Sequence, residues 1–330
     1  MITVCVDAMG GDESASVVCA GIAKALAANE DLQVLVAGDE DVVVPFCEGT
    51  ERAIPLVTTE VIGMGEHPAQ AVRTKKDSSI VRGCAAVRKG EAQGFFSAGS
   101  TGAIFAAATM GVGRIRGIRR PALAGVLPGI EGHRTVFLDL GANADVRPEM
   151  IVQFAQMGSA YARAVLGVDR PKVGLLSNGE EETKGSELAL AYHAALAEAD
   201  CGFAGNAEGT DILLGDFDVI VTDGFTGNVA LKTLEGTAKY VLASLKASIA
   251  HSKRLKVGAG LLKPALKSIQ GDLSGDEYGG AVLLGLKAPV LVGHGATSEA
   301  AVAAGTAACA AAIRSELVQR MSDMLGADRL

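Results

Sequence analysis

The chain has no tryptophan among its 330 residues and only 4% aromatic side chains, too few to build stacking platforms for single-stranded nucleic acid. Basic charge is also in deficit. Thirty Lys and Arg stand against 38 Asp and Glu, a net charge of −8 with a pI near 5.3. That sign excludes a surface that tracks a phosphate polyanion, so no nucleic-acid partner is expected and any anion is bound locally. Six cysteines, Cys5, Cys19, Cys47, Cys84, Cys201 and Cys309, lie far apart, with no C-x-x-C pair and no histidine at zinc-ligand spacing beside them. They read as buried thiols of a reducing cytosol, and no metal is expected. Residues Met1 to Asp7 enter an apolar alternation at once, without the basic start and longer apolar run of a signal peptide, which points to a cytoplasmic protein. The uncharged run Ala92 to Gly113 has about the length of a membrane span but is broken by Gly94, Ser97, Gly99, Ser100, Thr101 and Gly102. It reads as a buried strand, a glycine turn and the start of a buried helix.

Several catalytic signatures are missing too: no G-x-G-x-x-G after a strand, no G-x-x-x-x-G-K-[ST], no G-x-S-x-G and no H-E-x-x-H. Dinucleotide redox chemistry and nucleotide hydrolysis therefore lose support, and no serine or cysteine stands with a base as an acyl-enzyme nucleophile would. Direct transfer to a small nucleophile is the chemistry left.

What the chain does have is 49% hydrophobic residues, 42 glycines and a regular alternation of short Val/Ile-rich runs with longer alanine-rich stretches. This predicts a three-layer α/β/α fold, a mostly parallel sheet flanked by helices. Strands are expected at 2–7, 33–37, 54–58, 94–97, 122–127, 135–140, 172–177, 219–222 and 289–292. Residues 1–330 are read as a single domain, with room for two lobes around a cleft.

The segments after these strands resemble one another in chemistry. Asp7-Ala8-Met9-Gly10-Gly11-Asp12, Ser97-Ala98-Gly99-Ser100-Thr101-Gly102, Asp139-Leu140-Gly141-Ala142-Asn143-Ala144-Asp145 and Ser177-Asn178-Gly179-Glu180 through Lys184-Gly185 combine glycine with Ser, Thr, Asn or Asp. So do Gly205-Asn206-Ala207-Glu208-Gly209, Thr222-Asp223-Gly224-Phe225-Thr226-Gly227-Asn228 and Gly293-His294-Gly295. Glycine and asparagine are ordinary turn residues, but so many polar loops, expected at one sheet edge, predict an anion-binding crevice.

Taken together with Glu66-His67-Pro68 and Arg73, Lys75, Lys76, Ser78 and Ser79, these motifs resemble, in order and spacing over nearly the whole chain, the bacterial phosphate acyltransferase family of phospholipid synthesis. Val282 stands where that family usually has a proline, in what is read as a loop at 280–285. The resemblance implies transfer of a fatty acyl group from acyl-[acyl carrier protein] to inorganic phosphate, giving an acyl phosphate. It also implies no cofactor, a homodimer, a fold similar to isocitrate dehydrogenase and phosphotransacetylase, and peripheral association with the inner face of the membrane. There a glycerol-3-phosphate acyltransferase would consume the product.

In that reaction the enzyme must position a phosphate that is already nucleophilic. Ser100, Thr101 and Gly102, opening a helix, are read as the phosphate seat. Lys184 is the candidate for the developing oxyanion, with a solvated ion pair to Glu180, Glu181 or Glu182 as its ordinary reading. Asn228 is expected to donate to substrate oxygens and Asp223 to orient, beside Thr226; a plain helix cap competes for Asp223. Asn143 and Asn178 are counted with the substrate-binding loops. His294 or His67 can protonate the leaving thiolate, and Arg73 and Lys76 can meet phosphate or an acidic carrier protein.

Residues 251–270 hold Lys253, Arg254, Lys256, Lys263 and Lys267 with no acidic residue. Leu255, Leu262, Leu266 and Ile269 share one helical side, the pattern of a basic amphipathic arm for an anionic membrane surface. A solvated hairpin or a dimer contact are its alternatives. Three other functions remain open on the residues alone: a phosphotransacetylase-like enzyme acting on acyl-coenzyme A, a non-catalytic lipid or carrier-protein binding module, and a hydroxyacid dehydrogenase on the same fold, which predicts nicotinamide binding.

Overall fold

The structure is a computed structural model that describes residues 1–250, 255–256, 258–260, 262, 279–293 and 298–326. Eleven strands join one sheet. In chain order, β1 (Ile2–Asp7), α1 (Ala15–Ala28), β2 (Leu32–Gly38), α2 (Glu40–Glu48) and β3 (Ala53–Val57) lead to α3 (Pro68–Thr74), α4 (Ser79–Lys89), β4 (Gly94–Ser97) and α5 (Thr101–Gly111). Then come β5 (Ala122–Pro128), β6 (Arg134–Leu138), α6 (Pro148–Tyr161), β7 (Val173–Leu176), α7 (Glu187–Ala197), β8 (Phe203–Ala207), α8 (Asp211–Leu214), β9 (Val219–Val221) and α9 (Gly224–Ala250). β10 (Ala281–Leu284), β11 (Val290–Val292), α10 (Glu299–Arg314) and α11 (Leu317–Met324) close the described chain.

Helix ends follow local chemistry. Pro68 and Pro148 stand in the first turns of α3 and α6, where a missing N–H costs nothing, and Gly90 closes α4 in the left-handed conformation. Ser186 and Ser298 accept the N–H groups of Ala189 and Ala301 at the starts of α7 and α10.

Strand alternation divides the core into two layers. Val4, Val6, Val34, Val36, Ala124 and Leu138 pack on one face with α1, α6 and α10. Cys5, Leu35, Phe95, Leu123, Phe137 and Ile220 pack on the other with α4 and α5. This is the predicted three-layer, mostly parallel fold. Five of the six cysteines are buried and Cys47 is half-buried. No single described helix is long and apolar enough to cross a membrane.

The strand order is β3-β2-β1-β4-β11-β10-β5-β6-β9-β7-β8. Pairing is parallel on both sides of the sheet, whereas β11–β10, β10–β5 and β5–β6 are antiparallel. Three successive reversals make the block β6-β9-β7-β8 run opposite to β3-β2-β1-β4-β11. The expectation that all the polar loops share one sheet edge is thereby corrected: the loops after β1, β4 and β11 leave one edge, those after β6, β9 and β7 the other.

Two strands were not anticipated. β8 takes in Gly205, Asn206 and Ala207, read as loop, and pairs with β7. β10 takes in Val282, which pairs with Ala124 and Leu291 instead of sitting in a loop. The arm at 251–270 falls largely outside the described residues: Leu255 and Leu262 are exposed, while Lys263, Leu266, Lys267 and Ile269 lie outside them.

The seat of α9 is its first turn. A Cβ at Gly227 would stand 2.0 Å from the Asp139 carbonyl oxygen, whereas Gly236, two turns on, faces open space. Gly227→Ala is expected to cost about 3 kcal/mol or more through backbone overpacking, and Gly236→Ala to add roughly 0.5–1 kcal/mol of helix propensity. Denaturant midpoints of the two variants should therefore move in opposite directions.

Candidate active site

The loop that opens α5 is built on a buried carboxylate. Asp7, at the end of β1, accepts the Ser97 hydroxyl at 2.7 Å and the Met9 N–H at 3.0 Å, and Ser97 Oγ in turn accepts the Gly99 N–H at 3.0 Å. Burial pushes the Asp7 carboxyl above its ordinary pKa, and the hydrogen bonds from Ser97 and Met9 pull against it. Ser100 is the N-cap residue of α5 but makes no capping bond, and the Thr101, Gly102 and Ala103 N–H groups meet no acceptor among the described residues. Four unsatisfied first-turn donors are the general condition of an uncapped helix, and they favour an anion.

On the opposing block a second buried carboxylate shapes the wall. Asp139, just past β6, accepts the N–H groups of Leu123 (3.0 Å), Gly141 (3.3 Å), Ala142 (3.0 Å) and Asn143 (2.8 Å), and the Asn143 side-chain amide at 2.7 Å. Burial raises this carboxyl above its ordinary pKa, against the pull of those donors. Asn143, buried, spends its second amide hydrogen on the Pro121 carbonyl at 2.8 Å. Asn228, on α9, donates to the Leu140 carbonyl at 3.0 Å and joins α9 to the same loop.

Between these two walls lies a trough of about 340 Å³. Thr101, Gly102 and Gly293 come from one block, Gly141, Ala142 and Asn228 from the other, and β5 forms the floor. Phe105, Leu123, Leu231 and Leu234 make much of the lining apolar. The trough sets an uncapped helix start beside a greasy channel, an arrangement suited to an anion and an acyl chain together.

A second cavity of about 390 Å³ gathers Asn178, Asp223 and Thr226 at the ends of β7 and β9. Here Asp223 caps α9: Oδ1 accepts the Thr226 N–H and Oδ2 the Thr226 hydroxyl, each at 2.8 Å. The α9 start is thus filled by the protein's own carboxylate where α5 is left open. Ser177 Oγ, also in this lining, is buried without a hydrogen-bond partner among the described residues. Lys184 is exposed next to the lining residues Gly185 and Ser186, and makes no ion pair among the described residues, with Glu180, Glu181 and Glu182 included.

The structure therefore brings Thr101, Gly102 and Asn228 into one trough, with Ser100 and Asn143 supporting its walls, and Asn178, Thr226 and Asp223 into the neighbouring cavity. His67, Arg73 and Lys76 are exposed and line neither. His67 sits close by, since α3 starts against α5, with Pro68 Cγ 2.7 Å from where a Gly102 Cβ would stand, while Arg73 and Lys76 lie at the other end of α3. Lys75 commits its ammonium to Glu66 and to the Val61 carbonyl, both at 2.7 Å. His294 lies outside the described residues. No group of three or more His, Cys, Asp or Glu among the described residues is placed to hold a metal ion.

Sequence reasoning passed over Asp7, Asp139 and Asn206 as organising residues. Asn206 Oδ1 accepts from His193 Nδ1 at 3.0 Å and Asn206 Nδ2 donates to the Glu181 carbonyl at 2.9 Å, which braces the loop carrying Lys184. The available signal was a polar residue at or within one position of the end of a strand, the last residue of β1 for Asp7, the one after β6 for Asp139 and the one before the last of β8 for Asn206.

Known proteins resemble this chain in sequence and in fold. A family described as "Fatty acid synthesis protein" matches residues 2–320. A phosphate acyltransferase of Bacillus pumilus (strain SAFR-032) is 46% identical over 299 residues, 91% of this chain and 90% of its own. One from Bacillus cereus (strain B4264) is 41% identical over 327 residues, 99% of each. Among solved structures, a phosphotransacetylase from Streptococcus pyogenes superposes with a TM-score of 0.59 at 17% identity, covering 95% of this chain and 94% of that one. A branched-chain phosphotransacylase from Enterococcus faecalis V583 gives 0.57 at 16% identity, covering 96% and 100%. At such identities the structural likeness is one of fold.

Asp139→Asn replaces an oxygen that accepts two donors with an amide that donates. The variant should lose about 3 kcal/mol of stability, since each orphaned buried donor costs roughly 1–3 kcal/mol. Chemical denaturation measures this, and an unchanged midpoint would remove Asp139 from its structural role.

Proposed function

The chain belongs to the phosphate acyltransferase family, a family of acyltransferase enzymes, and from this we propose that it transfers a fatty acyl group from acyl-[acyl carrier protein] to inorganic phosphate for phospholipid synthesis. The observation that carries the reading is the trough, where the unfilled first turn of α5 opens beside an apolar channel lined by Phe105, Leu231 and Leu234. A short-chain donor such as an acyl-coenzyme A with an acetyl group would leave that channel without work.

In this mechanism phosphate is seated by the N–H groups of α5 and the hydroxyls of Ser100 and Thr101. Its oxygen attacks the thioester carbon, the C–O bond forms, and the carbonyl oxygen takes up negative charge. As the C–S bond breaks, the carrier's pantetheine thiolate leaves. Lys184, with no competing ion pair among the described residues, swings in from the rim to stabilise the phosphate and the oxyanion, a role worth about 3 kcal/mol for one well-placed donor. Asn228 has a second amide hydrogen for a substrate oxygen. Asp223 and Thr226 hold the start of α9, and Asn143 and Asn178 shape the loops around the acyl donor. His294 or His67 returns a proton to the thiolate. Arg73 and Lys76, exposed at the end of α3, meet the acidic carrier protein.

The same reading includes a homodimer and a cytoplasmic enzyme held at the inner membrane face by the 251–270 arm. Its acyl phosphate passes there to a membrane glycerol-3-phosphate acyltransferase. The exposed side chains of Leu255 and Leu262 support that placement.

Purified protein supplied with palmitoyl-carrier protein and phosphate should give an acyl phosphate that hydroxylamine traps as a hydroxamate. Product from coenzyme A thioesters alone would favour the phosphotransacetylase-like alternative, and none from either donor a binding module. Lys184→Ala should lower kcat/KM by about 10²–10³, while Lys75→Ala, whose ammonium is already committed, should change it little. Liposome co-sedimentation should fall when Leu262 and Leu266 become glutamate; unchanged sedimentation would end the membrane assignment.

A further inference from the structure

Helix α9 runs from residue 224 to 250, yet Gly224 and Gly227 are its only buried residues. Beyond that first turn its inward stripe, Ala230, Leu234, Ala238 and Leu242, recurs every fourth residue and is only half-buried. Across from the stripe stand Ile212 and Leu213 of α8, and between the two helices lies a groove of about 510 Å³. Among the described residues its lining holds no charged side chain and no polar side-chain group beyond threonine hydroxyls. The volume is that of a ligand site, and the wall chemistry excludes phosphate or the polar part of a pantetheine.

The groove borders the candidate active site. Leu234 lines both the groove and the trough, and Gly209 and Ala230 line both the groove and the second cavity. From Ala230 to Leu242 the helix advances about 18 Å at 1.5 Å per residue, a length that an extended long-chain acyl group fills and an acetyl group does not. We infer that this groove, between α8 and α9, receives the methylene chain of the acyl donor while its carbonyl lies in the trough, and that Ala238 and Leu242 set the chain length accepted. The inference rests on the acyl-transfer reading above and adds to it where the chain goes. A second protein copy is the competing occupant of an apolar helix. However, the strongly exposed Phe225, Val229 and Tyr240 project from the opposite side of α9, at 100° per residue, and leave the concave side to a small ligand.

The test compares butyryl- and palmitoyl-carrier protein as donors to phosphate in the full-length protein and in Ala238→Phe, which fills the groove midway. The palmitoyl kcat/KM should fall at least about tenfold through KM, the worth of some two buried methylenes at roughly 0.8 kcal/mol each, while the butyryl value stays within about twofold. Leu242→Ala, which removes part of the far wall without adding bulk, should raise the palmitoyl KM and spare butyryl. Equal losses on both donors, or none, would overturn the assignment, and equal losses with an altered sedimentation coefficient would give the groove to a second copy. If the wild-type protein turns over neither donor, the acyl-transfer reading fails by itself. The groove is then judged by titration with a fluorescent long-chain fatty acid: saturable binding lost in Ala238→Phe supports it, and binding unchanged in the variant overturns it.

Discussion

Two buried carboxylates bear the geometry of the cleft, one in each half of the sheet. A carboxylate taken out of water is tolerated only when its lone pairs are filled, and Asp139 fills them with four backbone N–H groups and one amide. The loop around it has little freedom left. Asn143 then reaches Pro121, Asn228 reaches Leu140, and the start of α9 is drawn against the same loop at Gly227. Asp7 does the corresponding work for the α5 loop through Ser97 and Gly99. The polar parts of the site are therefore set before any ligand arrives, which is the condition for electrostatic preorganisation.

The two carboxylate-centred walls can face each other only because the sheet reverses direction three times at its centre. In a wholly parallel sheet, helix starts collect along one edge and a ligand binds there. Here β10 and β5 separate two parallel blocks of opposite polarity, so the start of α5 and the start of α9 approach the face of β5 from opposite ends. One helix start is left open and the other is closed by Asp223. That difference makes the trough asymmetric, with uncapped helix N–H groups at one end and apolar side chains toward the other.

Much of the fold was legible in the sequence. Strands such as β1 and β4 matched their expected limits, and the uncharged stretch at 92–113 became strand, turn and helix as its glycines suggested. β8 was missed because its glycine, asparagine and alanines give weak strand propensity, and β10 because its four apolar residues are bounded by Gly280 and Gly285, as a turn is; long-range pairing decides both. The single-edge crevice was wrong for a related reason: strand polarity is a property of pairing, and no local pattern encodes it. For the site, residue types in the loops identified Thr101, Gly102 and Asn228 as neighbours-to-be. Sequence offered nothing to separate Asp223 as a helix cap from Asp223 as a catalytic partner, since Asp before Gly-x-Thr suits both.

The central position of β10 and β11 has a bearing on how the protein is made. A ribosome releases residues 1–250 well before these two strands exist, and until then β4 and β5, which the finished sheet joins through them, are both open edges. The nascent chain thus passes through a stage with two half-sheets, each exposing unpaired backbone groups of the kind that template aggregation. Insertion of a late hairpin seals both edges at once and brings α10 down onto α1. Termination between α9 and β10 would leave the two half-sheets unjoined, so quality control of this chain hinges on its last sixth.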